Sequence, residues 1–283
     1  MKYKYLKNDY EIEVSKNKFL YFLYNNILGR LLLRIIYQPF ISKMVGFFLN
    51  SRFSKFLIKK YIRNNNIDMS RFDNIDYKSF NSFFTRKIRC IEKNKNKNSF
   101  IANCDSKVSI YNIDENLILN IKNSKYNIKE LIKDIGIAKK YIGGICVVYR
   151  LEPSDYHRYI FVDSGKVIFN KKIKGKLHTV NPIVYNHYQV FTENSREVSL
   201  LSCDTFGDIV QIEVGALCVG KIRNNNKSKY KRYDEKGYFE FGGSTIIHLI
   251  EKDRVIFNEK IINNTKNDIE TIVSIGEIIG KKI

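Results

Sequence analysis

KGYFEFGGSTIIHL, residues 236–249, holds two strand-like runs, 238–241 and 244–249, separated by Gly242 and Gly243. Both runs have the composition of short strands. Glycines inside a strand pattern mark a sharp bend or a backbone conformation that other residues rarely adopt. Ser244 follows that bend directly, so its hydroxyl lies next to the carbonyl of Gly243. Attack there exchanges the amide for an ester. Elimination then leaves dehydroalanine, which hydrolyses to a pyruvoyl group on a new N-terminus. Such a reaction needs a base for the serine proton and donors for the transient oxyanion. Most Gly-Gly-Ser strings are simple turns, so the context has to come from the rest of the chain.

Outward from this point the pattern is one of short strands. VSIYNI (108–113), LILNI (117–121), GICVVYRL (144–151), YIFVDSG (159–165) and DIVQIEVGALCVGKI (208–222) alternate with turn-rich pieces, and residues 129–135 form the one helical pattern among them. Residues 80–283 therefore read as a β-rich domain of mostly antiparallel strands. The N-terminal region, residues 1–79, reads differently. Between 19 and 37 apolar residues recur at Leu20, Leu23, Ile27, Leu31 and Ile35, with Asn26, Arg30, Arg34 and Gln38 on a polar stripe and Pro39 ending the run. A second basic and apolar stretch covers 41–62. The fold class is α+β, with N-terminal amphipathic helices followed by the β-rich domain. Cationic helices of this kind lie in a membrane interface or pack on their own protein.

Forty-nine basic against 29 acidic residues give a net charge of +20, which points to an anionic partner: lipid headgroups, nucleic acid or an acidic protein. Tracts such as KNKNKN (93–98) point equally to a compositional bias. Cys90, Cys104, Cys146, Cys203 and Cys218 are odd in number and widely spaced, with no CxxC pair, so neither a zinc site nor a disulfide framework is expected. The first residues lack the apolar core of a signal peptide, and no run of about 20 apolar residues predicts a transmembrane helix.

Seven strings, in order, carry a resemblance: FNSFFTRKI (80–88), CDSKVSIY (104–111), LEPSDYHRY (151–159), LHTVNPI (177–183), FTENSREV (191–198), VGALCVGKI (214–222) and KGYFEFGGSTIIHL. Together they resemble the phosphatidylserine decarboxylase family, in a clostridial-like form. The family's cleavage motif, usually LGST, reads FGGST here, with Gly242 at the Leu position.

The resemblance implies self-cleavage between Gly243 and Ser244 into a β chain, 1–243, and an α chain, 244–283, that remain together. It also implies a pyruvoyl cofactor made from Ser244 and decarboxylation of phosphatidylserine to phosphatidylethanolamine. No metal or nucleic acid would take part, and the protein would sit peripherally on the cytoplasmic face of an anionic membrane. The family's Asp–His–Ser constellation carries over to Ser244 and to Asp105. Its histidine does not carry over: many relatives have Y-H-R-x-H, and Ile160 stands where the second histidine would be. We expect His178 to supply the lost imidazole, with His157 as the fallback base and as the proton donor in decarboxylation. His248 shares a strand face with Ser244 but lies roughly 13 Å along it, and with His187 it reads as structural. Competing readings are a basic nucleic-acid-binding module, an Asp–His–Ser hydrolase and a pyruvoyl decarboxylase of a soluble amino acid. The first gives no reason for FGGST, CDSK and YHR to coexist. Against the second, the serine lies outside any G-x-S-x-G elbow and its position suits self-processing better. The amphipathic helices argue against the third.

Overall fold

Ser244–Ile250 is the strand on which the fold turns. Every residue of it is buried, because strands flank both edges and apolar layers cover both faces. A strand covered on both faces reads as a continuous apolar run, which is why STIIHLI does not alternate. The computed structural model describes residues 2–6, 11–13, 18–121, 124–185, 187–217, 221–225, 227–242 and 244–283. Within them the strand lies inside a ten-stranded sheet. The order across that sheet is Lys229–Tyr230, Gly165–Ile173, Arg196–Cys203, Gly207–Val214, Ser244–Ile250, Ile145–Leu151, Ser106–Asn112, Ile269–Val273, Lys2–Tyr5 and Glu11–Glu13. All its pairings are antiparallel except that of Lys2–Tyr5 with Ile269–Val273.

The first run of the opening stretch belongs elsewhere. Glu235–Phe239 pairs with Ile222–Asn224 and Arg158–Ile160 in a separate three-stranded sheet. The two runs therefore do not form a hairpin. Residues 240–243 carry the chain from one sheet to the other, and Gly242 has φ +135°, a conformation that favours glycine. Gly243 lies outside the described residues, as does Cys218 within VGALCVGKI.

Side chains alternate across the central strand. Ile246 and Ile250 enter one apolar cluster with Tyr149, Phe100 and Phe239. Ile247 and Leu249 enter another with Tyr24, Leu33 and Val210. A third, smaller cluster of Leu49, Ile58, Phe80, Phe83 and Phe84 joins the N-terminal helices to Phe241 beside the crossing.

Several local expectations need correction. The helical pattern over 19–37 is two helices, Lys18–Asn25 and Ile27–Ile36, bent by 98° at Asn26. Asn26 caps the second of them, its side chain accepting from Leu28 N at 2.9 Å. Gly29 permits the bend, since a Cβ there would stand 2.1 Å from the Phe22 carbonyl oxygen. Pro39 opens the next helix, Pro39–Asn50, instead of only closing the one before it. The extreme N-terminus is a strand in the main sheet rather than part of the helical region. The helical pattern over 129–135 ends early, at Ile128–Ile132, where Lys133 takes a left-handed conformation. A helix at Glu259–Lys266 had no strong apolar stripe to announce it.

Candidate active site

The crossing is held on three sides. Phe239 N donates to His157 O at 3.0 Å, and Glu240 N donates to Lys221 O at 2.9 Å. Phe241 N donates to the side-chain oxygen of Asn81 at 3.2 Å. The Phe241 ring packs on Phe80 and Phe84, with centroids 5.1 and 5.2 Å away. Asn81 is itself buried and bonded to Asn50 at 3.0 Å, which links the crossing to the helix Pro39–Asn50. Just beyond the crossing Ser244 is fully buried, and its Oγ has no hydrogen-bond partner among the described residues. A buried hydroxyl left without a partner is costly, and where it persists it calls for an explanation.

His157 lies next to this turn. Its Nδ1 is 2.9 Å from the carbonyl oxygen of Asp155. A carbonyl only accepts, so the ring proton sits on Nδ1 and Nε2 keeps its lone pair. Nε2 is buried and makes no hydrogen bond of ordinary length among the described residues, although the Gly242 backbone is close enough to favour a proton on the ring. The ring packs against Phe84 at 4.3 Å. Burial pushes its pKa down to about 3; the positive charges of Arg86 and Lys107 push the same way, while the backbone of Asp155 and of Gly242 partly offsets them. The imidazole is therefore neutral across the physiological range. Asp155 is fixed by Lys107, whose Nζ reaches both carboxylate oxygens at 2.7 and 2.8 Å, and by Glu152 N at 2.7 Å.

Asp105 stands just before the strand Ser106–Asn112, and no hydrogen bond joins it to a histidine among the described residues. Its carboxylate takes two bonds from Arg71, at 2.7 and 3.2 Å, and one from Ile275 N at 2.8 Å. Ile160, at the position of the missing family histidine, donates its N–H to Asn103 O at 2.9 Å. With Tyr156 and Arg158 it lines a cleft of about 310 Å³, whereas His157 and Tyr159 are turned inward and fully buried.

His178 is on the other side of the sheet. Ser244 shares a face with Ile246 and Ile250, in the first cluster, while the rings around His178 belong to the second. Its ring stacks on Tyr188 at 4.2 Å, lies 4.9 Å from Tyr37, and has Nδ1 3.5 Å from the Tyr24 hydroxyl. Burial lowers its pKa to about 4. His248 does face Ser244's side, but its Nε2 is bonded to Gln211 and Asn103 at 3.0 and 3.3 Å. His187 is exposed and meets Asn25 at 3.2 Å. The structure thus brings His157 to the crossing and leaves His178 away from it. Sequence reasoning misses Asn81 and Asp155, although both lie in quoted strings, FNSFFTRKI and LEPSDYHRY. Neither residue type announces a clamp or a tautomer-setting carbonyl.

The geometry describes an α+β enzyme whose candidate serine lies inside a sheet, at the head of a strand, rather than on an exposed strand-to-helix elbow. The family model described as phosphatidylserine decarboxylase matches residues 80–281. Phosphatidylserine decarboxylase proenzyme 2 of Clostridium acetobutylicum is 44% identical over 279 residues, covering 98% of this chain and 96% of its own. Phosphatidylserine decarboxylase proenzymes of Clostridium botulinum (strain Hall) and Clostridium tetani are each 41% identical, covering 100% and 96% of this chain and 99% and 95% of their own. The chain belongs to the phosphatidylserine decarboxylase family.

Proposed function

We propose that this chain decarboxylates phosphatidylserine to phosphatidylethanolamine after cutting itself between Gly243 and Ser244. The observation that carries the reading is the buried, unpartnered hydroxyl of Ser244 at the head of the central strand, with a neutral histidine beside the turn that precedes it. His157 Nε2 takes the serine proton, and Oγ attacks the Gly243 carbonyl to form an ester. Removal of the Ser244 Cα proton then breaks the Cβ–Oγ bond of that ester, leaving a carboxylate on Gly243 and dehydroalanine at 244. Water converts the latter to the pyruvoyl group and ammonia. His178, on the opposite face, has a packing role in this reading. Asp105 positions its segment through Arg71 and Ile275.

A pyruvoyl group at position 244 supplies a carbonyl electron sink for the loss of CO₂. The residues present fit such a group: the position is closed to solvent, has no competing hydrogen bond among the described residues, and is followed by a strand bonded on both edges. The chain's own contribution is then to exclude water and to move one proton. A proton lodged on His157 Nε2 makes an imidazolium in an apolar setting, which is acidic and readily surrendered to carbon. Both 244–250 and 269–273 lie between strands from the N-terminal side of the cut, so the two products stay assembled as a heterodimer. Each fully buried Ile or Leu on them adds about 2 kcal/mol to that association.

Peripheral attachment to the cytoplasmic face of an anionic membrane is part of the same reading. Phe47 and Phe53 are 83% and 84% exposed, and Phe40, Met44 and Phe56 beside them are exposed too, among Lys43, Arg52, Lys59 and Lys60. No single helix among the described residues is long and apolar enough to cross a membrane. Replacing Phe47 and Phe53 with Ser should weaken binding to phosphatidylglycerol vesicles at least ~10-fold; unchanged binding would assign the contact elsewhere. Self-cleavage is tested by denaturing mass spectrometry. The expected products are chains 1–243 and 244–283, the second lacking an amino terminus, and a single uncut chain for Ser244→Ala. Full-length, active enzyme would refute the proposal.

A further inference from the structure

Four arginines other than Arg86 are well supplied with acceptors. Arg150 is bonded to Glu270 and Glu152, Arg71 to Asp105, and Arg158 to Glu235. Arg196 has four backbone carbonyls. Arg86 is different. It is 4% exposed, yet no carboxylate lies within ion-pair distance among the described residues, and Nε has no partner among them at all. The single hydrogen bond of its side chain among the described residues is a long one, 3.4 Å from Nη1 to Phe83 O. The guanidinium lies over the rings of Phe72 and Phe83, with its carbon 4.2 and 4.7 Å from their centroids. Aromatic rings attract the charge but leave the N–H donors unbonded. A buried cation without an acceptor is unfavourable unless something else supplies one.

Its position suggests what that is. Phe83 belongs to the cluster that includes Leu49 and Ile58, beneath the helices that expose Phe47 and Phe53. The next residue, Phe84, packs on His157. Arg86 thus lies between the apolar outer helices and the candidate base. A phospholipid has the same order, with its phosphate between the acyl chains and the amino-acid headgroup.

Resting on the phosphatidylserine reading, we propose that Arg86 binds the phosphodiester of the substrate through its unbonded N–H donors. The substrate's carboxylate is the poorer match. It loses its charge as CO₂ leaves, so a cation fixed on it would hold back the reaction, whereas the phosphodiester keeps its charge from substrate to product. Arg86 therefore contributes uniform binding, which appears in KM and not in kcat. Burial already draws the Arg86 pKa down, with the nearby tyrosines and Asp105 only partly offsetting it; a bound phosphodiester restores the balance.

The test uses full-length Arg86→Met and Arg86→Lys, both checked for self-cleavage, assayed on phosphatidylserine in mixed micelles. Loss of a charge-assisted bond should raise KM about 10-fold or more in Arg86→Met, with kcat changed less than about 3-fold, and Arg86→Lys should recover part of the difference. Glycerophosphoethanolamine, a phosphodiester without a carboxylate, should inhibit the wild type and lose that effect in Arg86→Met. Free serine should inhibit both alike. A fall in kcat at unchanged KM overturns the proposal, as does selective loss of serine inhibition, which would assign Arg86 to the carboxylate. Should Arg86→Met fail to mature, Arg86→Lys and wild-type inhibition decide, and a wild type indifferent to glycerophosphoethanolamine overturns the proposal. Turnover by the wild type in the same assay reports separately on the decarboxylase reading.

Discussion

The two faces of the central strand hold two buried histidines with much the same electrostatics and different surroundings. On one face His157 has a fixed tautomer, an Nε2 with no hydrogen bond of ordinary length among the described residues, and the crossing at 240–243 beside it. On the other, His178 is enclosed by Tyr24, Tyr37 and Tyr188. Burial lowers both pKa values, to about 3 and about 4. A depressed pKa therefore does not distinguish them. Nor does an Nε2 without an ordinary hydrogen bond, which both have among the described residues. What does is the face of the sheet and the place of His157 beside the crossing.

The shared electrostatics has a measurable consequence. His157, His178 and His248 all have folded pKa values below their ordinary 6.5. The unfolded chain then binds more protons than the folded one at mildly acidic pH. Their stabilisation is complete above pH 6.5 and is lost as pH falls from there toward about 4 for His178 and about 3 for His157 and His248, by about 1.4 kcal/mol per pH unit for each histidine. Urea midpoints between pH 7 and 4.5 should follow that slope. His178→Phe should remove one histidine's share of the acid sensitivity and leave self-cleavage intact; an unchanged slope would mean that His178 is not held neutral by burial.

A smaller effect sharpens the other side of the comparison. Asn81 clamps the crossing, beside which His157 lies, by accepting from Phe241 N. Asn81→Ala should slow self-cleavage about 10-fold, the scale of one buried hydrogen bond. A wild-type rate on a gel time course would show that Phe241 packing alone shapes the turn.

Much of this was legible in the sequence. STIIHLI announced a strand, FGGST a break at its head, and the seven ordered strings the family. What could not be read was which distant segments meet. The two runs flanking Gly242 and Gly243 belong to different sheets, and local pattern carries no information about sheet membership. Asp105 resembled a partner for histidine, but its acceptors are taken by Arg71, 34 residues away, and by Ile275, 170 residues away. His178 was an attractive substitute because histidines are few, and nothing in LHTVNPI tells which face of a sheet it will meet. The break at Asn26 was hidden because the apolar periodicity continues across it.

Self-cleavage of His157→Ala set beside that of His178→Ala tests the central claim most directly. Both proenzymes would be followed on a denaturing gel from synthesis onward. Removing the proposed proton acceptor beside the crossing should slow His157→Ala by ~10²–10⁴-fold, while His178→Ala, once folded, should cut at close to the wild-type rate. The reverse pattern, with His178→Ala uncut and His157→Ala maturing normally, would contradict the assignment and give the base's role to the opposite face of the sheet.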